Sequence, residues 1–193
     1  PGLTALDDKG FFFRTAPSDA RGGQILADIT KDRKIKSVAI TYTNNDYGKG
    51  LADVYEAAVK AHGIKVTTVS AHEDGKADYS SEVATLASAG GDAVAVIGYL
   101  DQGGKGIIQG SLDSGAFDKF ILSDGMIGDS LTEAFGKDLN KSFGSIPGSM
   151  NKKTAGTFAS VAKAAGIDSS GPYTGESYDA AALIVLAMQA GGS

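Results

Sequence analysis

The stretch Val94 to Gly110, VAVIGYLDQGGKGIIQG, sets Gly98, Gly103, Gly104, Gly106 and Lys105 directly after an apolar run. Such a loop could cradle a phosphate. A phosphate loop spaces two glycines by four residues and follows the second with Lys and a hydroxyl residue, whose oxygen holds magnesium. Gly98 and Gly103 have that gap, but Gly104 displaces Lys105 and Gly106 stands where the hydroxyl belongs. The dinucleotide pattern also fails, because Gln109 occupies the place of its third glycine. The glycines instead suit a tight strand-to-helix turn beside a ligand, with Tyr99 given room at its start.

Other reactive groups are sparse. The two histidines, His62 and His72, lack metal-ligand spacing, and both are expected to be solvated, His62 at a helix C-terminus. With no cysteine, disulfides, thiolate metal sites and Cys nucleophiles are excluded. No Gly-x-Ser-x-Gly elbow occurs. The carboxylates at Glu73-Asp74 and from Asp113 to Asp118 fall in loops without a matching base or metal set. Nothing here asks for an enzyme or a cofactor.

What the sequence does offer is a rim. Three expected strands end in NNDYG, GYLDQ and SDGMI, which carry Tyr47, Tyr99 and Asp124. Two tyrosines make an apolar wall with hydroxyl tips, and a carboxylate can pair with a ligand cation. In a doubly wound sheet, ligands bind beyond the carboxyl ends of the strands.

The elements that must position these residues alternate. KSVAITYT (Lys36 to Thr43), KVTTVS (Lys65 to Ser70), DAVAVIG and KFILSD (Lys119 to Asp124) are short, mostly β-branched or apolar runs that predict strands. Val38, Ile40, Val66, Val94, Val96, Ile121 and Leu122 should be buried in them. Between the strands, Leu51, Val54, Tyr55, Ala58 and Val59 repeat at helical spacing up to a stop at Gly63. Asp78 is the expected cap of a helix carrying Val83, Leu86 and Ala87, and Ile107 to Ser114 forms the next. Ser18 or Asp19 caps an earlier helix with Ile25, Leu26 and Ile29. The fold class is α/β: a doubly wound parallel sheet with helices on both faces.

Composition agrees with a globular domain that binds neither nucleic acid nor an anionic membrane. The 193 residues are 42% hydrophobic and carry a net charge of −5, the wrong sign for a phosphate backbone. Lys31-Asp32-Arg33-Lys34 reads as a solvated helix end. The most apolar stretch, Ala180 to Ala190, is far shorter than the ~20 residues that span a bilayer. The ends do not close on the domain. Phe11-Phe12-Phe13 has no partner nearby in sequence, and YDAAALIVLAMQAG, Tyr178 to Gly191, is apolar nearly all round and so should be buried. Both ends are expected to reach into a second lobe mostly lacking in this chain.

GFFFRTAPSDARGGQILADI, VAITYTNNDYGKGLADVYEAAVKAHGIKV and DAVAVIGYLDQGGKGIIQGSLDSGAFDKFILSDG closely resemble the amino-acid-binding proteins of bacterial ABC transporters. The resemblance is to the leucine/isoleucine/valine-binding type, the type I periplasmic binding proteins. It implies two lobes that close on a ligand, with residues 1–15 from the first lobe and crossing. Residues 16–145 would form the second-lobe α/β domain, and residues 146–193 the crossing and helices that return to the first lobe. It further implies that Tyr47, Tyr99 and Asp124 line the second-lobe wall, Asp124 taking a ligand ammonium where relatives often have Glu. Glu176 could face the cleft from the first lobe, while Arg14, Thr15 and Asp19 match a hinge segment. The implied function is capture of a small polar solute, an amino acid of branched-chain type, for delivery to a membrane permease. An exported, periplasmic location and no catalysis follow. The alternative is a ligand-sensing domain of a regulator or receptor with the same fold; a nucleotide enzyme is a distant third.

Overall fold

A computed structural model describes residues 2–148 and 152–192. Their contacts form two compact units, one of residues 2–5 and 18–146, the other of residues 6–17 and the described residues from 147 onward.

The first unit is the expected parallel sheet. Its strands are β1 (Ser37–Thr43), β2 (Lys65–His72), β3 (Ala93–Ile97), β4 (Phe120–Leu122) and β5 (Phe143–Gly144), in the order β2-β1-β3-β4-β5. Every adjacent pair is parallel. The period-2 alternation of strands sorts the core into two layers. Val38, Ile40, Ala93, Ala95, Ile97 and Ile121 pack with helices α1 (Asp19–Asp32) and α2 (Asp46–Ala61). Ala39, Val94, Val96, Phe120 and Leu122 pack on the other face with α3 (Ser80–Ala89), α4 (Gly104–Asp113) and α5 (Asp129–Phe135). Each large apolar side chain so buried contributes ~1.5–3 kcal/mol relative to leaving it in water.

Helix α2 shows how sequence sets placement. Leu51, Tyr55 and Val59 recur every four residues and are buried against the sheet. Asn45 caps the helix, its side-chain oxygen accepting from Gly48 N at 2.9 Å. A β-carbon at Gly48 would lie 2.1 Å from the Thr43 carbonyl oxygen, so only glycine lets the first turn seat on the end of β1. Tyr47 is the residue carried in by that close approach.

Six of the seven residues expected inside the strands are buried; Val66 is only half-buried, because β2 is an edge strand. Asp78 does not cap α3. It accepts from Ser80 N and Oγ, and the helix starts from Tyr79 without a side-chain cap. Helix α4 begins at Gly104, three residues before the expected start, so two of the loop glycines are helical.

The second unit contains the segment Leu6–Pro17, α6 (Lys152–Ala164) and α7 (Thr174–Gly191). Phe158 and Tyr178 pack with ring centroids 5.4 Å apart. Helix α7 departs from expectation: no described residue of it is buried, and Leu183, Ile184, Val185, Leu186 and Met188 are all more than half exposed. Among the described residues this unit has no strand on which such a helix could lie. Phe11 and Phe13 line an apolar groove of about 580 Å³ with Leu183, Ile184 and Met188.

Candidate functional site

Strand order fixes where a site can form. From β1 the chain runs through α2 to β2 on one side; from β3 it runs through α4 to β4 on the other. The loops leaving β1 and β3 therefore diverge, and a crevice opens at this switch point beyond the carboxyl ends of the strands. Tyr47 follows β1, Tyr99 follows β3, and Asp124 follows β4.

The structure brings these three together. The rings of Tyr47 and Tyr99 stack with centroids 5.3 Å apart and planes 28° from parallel. The Tyr47 hydroxyl lies 2.9 Å from Asp124 Oδ1 and 3.2 Å from Ser123 Oγ. Burial first, and the neighbouring Asp124 charge second, push the Tyr47 phenol well above the usual tyrosine range. It is therefore a fixed proton donor at neutral pH, set beside a carboxylate acceptor. All three side chains are half-buried and so keep some surface open. Together they can offer an aromatic wall and a hydrogen-bonding acidic corner.

Glycine makes the floor beneath the rings. A β-carbon at Gly125 would meet the Gly98 carbonyl oxygen at 2.4 Å, Tyr47 Oη at 3.2 Å and Tyr99 Cδ1 at 3.3 Å. The glycines of the next turn have another role than the one expected. A β-carbon at Gly103 or Gly106 would strike Tyr79, at 2.6 and 2.5 Å, and one at Gly104 would strike Met126 at 2.3 Å. They seat two side chains rather than chiefly giving Tyr99 room. Lys105 pairs with Asp101 at 2.6 Å, one turn away.

Two expected residues fall elsewhere. Glu176 belongs to the second unit, in the first turn of α7, where its carbonyl accepts from Thr15 Oγ1 at 2.9 Å. Arg14, in the same unit, stacks its guanidinium 5.1 Å from the Phe12 ring centroid. His62 meets Asp28 at 2.7 Å near the surface. His72 overturns its expectation of a solvated role. It ends β2, which runs two residues beyond the expected strand, and is only 1% exposed. Its Nδ1 meets Thr41 Oγ1 at 2.9 Å. Among the described residues no group of three His, Cys, Asp or Glu could hold a metal ion.

Ser123 is the residue that sequence reading passed over. It was visible as the position before Asp124, at the end of a strand, but serine carries no charge or ring to draw notice.

Comparison with known proteins supplies a lineage. The family described as periplasmic binding protein matches residues 2–193. A Leu/Ile/Val-binding protein homolog 3 of Brucella melitensis is 37% identical over 105 residues, 54% of this chain and 28% of that protein. Homolog 1 from the same organism is 29% identical over 186 residues, 94% of this chain and 49% of that protein. The chain thus spans about half or less of the length of these relatives. Among solved structures, a leucine binding protein from Thermotoga maritima has the same fold, with a TM-score of 0.76, 21% identity, and coverage of 93% of this chain and 52% of that one.

Proposed function

Because the chain belongs to the periplasmic binding protein family, we propose that it supplies the second lobe, and part of the first, of an exported solute-binding protein. The solute is a small polar molecule, an amino acid of branched-chain type. The observation that carries this reading is the convergence of Tyr47, Tyr99 and Asp124 at the switch point of the sheet. The names of the Brucella relatives favour the same class of solute. Asp124 receives the ligand ammonium, and the stacked tyrosines cover its body. Closure of a facing lobe removes the ligand from water and strengthens each polar contact. The family is one of binding proteins, and the bound solute passes unchanged to a membrane permease. The exposed apolar face of α7 rests against the remainder of the first lobe, for which relatives about twice as long have room.

Calorimetry on the two-lobed protein with leucine, isoleucine and valine tests this. Removing one partner of a desolvated charge pair costs ~2–5 kcal/mol, so Asp124→Asn should weaken binding roughly thirtyfold to several thousandfold. Tyr99→Ala should also weaken it, through lost wall area. Lys105→Ala should leave it nearly unchanged. A neutral Asp124→Asn together with an inactive Lys105→Ala would replace the amino-acid cleft with an anion site.

A further inference from the structure

Ser123 enters the rim with a hydroxyl that water does not reach, the residue being 1% exposed. Its backbone is held on both sides: its N–H donates to the Val96 carbonyl at 3.3 Å, and its carbonyl accepts from Met126 N at 3.0 Å. The side-chain oxygen accepts from Gly98 N at 3.3 Å. It also lies 3.2 Å from Tyr47 Oη, which is itself 2.9 Å from Asp124 Oδ1.

Proton counting orders this cluster. A phenol has one proton to give, and an ionised carboxylate can only accept. The shorter contact takes the Tyr47 proton to Asp124. The contact between Ser123 and Tyr47 is then filled when the serine hydroxyl donates to Tyr47 Oη. Ser123 Oγ then accepts from Gly98 and donates to Tyr47, whose oxygen also faces the Gly125 N–H, and the chain runs from Gly98 N–H through Ser123 and Tyr47 to Asp124. Successive bonds of this kind polarise one another in a low-dielectric setting. Burial and then the Asp124 charge keep the proton on Tyr47, while Ser123, donating to the phenol oxygen, pulls more weakly the other way.

We infer that Ser123 is the positioning residue of this wall: its hydroxyl fixes the rotation of the Tyr47 ring against Tyr99 and, through Tyr47, the direction in which the Asp124 carboxylate is presented. Its consequence for a ligand rests on the solute-binding reading of the rim. Ser123 itself touches no solute. It links the ends of β3 and β4 to a residue that follows β1, so three strand ends share one hydrogen-bond order.

Two measurements decide it. In this chain with ring-¹³C tyrosine, Ser123→Ala should shift the Tyr47 Cζ resonance while leaving the buried Tyr55 unmoved, and should speed Gly98 amide exchange. In the two-lobed protein, calorimetry with L-leucine should show Ser123→Ala and Tyr47→Phe each weakening binding roughly three- to tenfold, the scale of one hydrogen bond. The double variant should be no weaker than Tyr47→Phe alone, because Ser123 acts through that hydroxyl. Additive losses, or a neutral Ser123→Ala beside a damaging Asp124→Asn, would overturn the positioning role and leave the cleft reading standing. A neutral Asp124→Asn, or no leucine binding by the unaltered protein, would remove the amino-acid reading instead. The tyrosine spectra need no ligand and still judge the chain: an unmoved Tyr47 resonance in Ser123→Ala overturns it.

Discussion

Gly125→Ala puts one methyl group where the site has space only for hydrogen. Its β-carbon would lie 2.4 Å from the Gly98 carbonyl oxygen. Ordinary carbon–oxygen contacts sit at ~3.3–3.6 Å, so about an ångström has to open. The obstacle is backbone, which cannot rotate aside like the end of a side chain. Gly98 is also tied through its N–H to Ser123, and it follows β3, whose five residues are all buried. Moving it drags the sheet end with it. Overpacking of this sort costs ~1–3 kcal/mol, and a chain of this size loses ~2–4 °C per kcal/mol, giving a fall in Tm of about 2–12 °C. The same methyl crowds Tyr47 Oη and Tyr99 Cδ1, so the ring stack should loosen as well. Calorimetric melting of the chain measures the first effect, and tyrosine-ring NMR the second. Gly22→Ala is the matched control. That glycine lies within α1 with no heavy atom in the path of a β-carbon, so alanine should raise stability by up to ~1 kcal/mol through helix propensity. A Gly125→Ala protein that melts with the unaltered chain and keeps its stacked tyrosines would refute the steric argument.

Tyr55→Phe should cost ~1 kcal/mol in urea unfolding, because the fully buried Tyr55 hydroxyl lies 3.0 Å from Thr30 Oγ1, whose own proton goes to the Leu26 carbonyl; an unchanged midpoint would mean that bond is not made. His72 should make stability depend on pH. Burial holds its imidazole below the usual range, against the weaker pull of Asp74, Glu82 and Glu73 towards the charged form. The unfolded chain therefore takes up a proton near pH 6.5 while the folded one resists it, so stability should fall as pH drops below about 6.5. His72→Gln should flatten that slope in unfolding measurements between pH 7.5 and 5, and an undiminished slope would assign it to other groups.

Most of the sheet was legible because its signal is local. The runs around Val38 and Ile40, Val94 and Val96, and Ile121 and Leu122 are too short and too apolar for anything but buried strands, and the alternation with helical repeats forces parallel pairing. Where reading failed, the missing information was tertiary. Val66 has the same side chain as Val38, and only strand order tells which lies at the edge. His72 reads as solvated because the β-branched run ends at Ser70, whereas the strand continues through Ala71 to a buried His72. Helix α7 reads as buried from composition, yet burial needs a partner, and none of the described elements covers it. At the rim, Tyr47, Tyr99 and Asp124 announced themselves by ring and charge. Ser123 did not, since its role depends on two neighbours that are 76 and 25 residues away in sequence.

The glycine-rich turn after β3 shows how similar sequence composition can arise from different demands. A phosphate loop uses glycine so that backbone amides can close on a ligand. Here the close approach is made by the chain's own side chains. Tyr79 lies against Gly103 and Gly106, and its hydroxyl stands 2.9 Å from both the Glu73 and Gln102 carbonyls. Tyr79 thereby ties the loop after β2 to the turn before α4. Met126, fully buried, occupies the space a side chain at Gly104 would need, and comes from the turn that begins with Asp124. Gly104 N in turn donates to the Tyr99 carbonyl at 3.1 Å. Side chains from the loops after β2 and β4 thus bear on the short segment that carries Tyr99. The glycines contribute to the rim indirectly: they let that segment pack closely enough for Tyr99 to stand over Gly125 and stack on Tyr47.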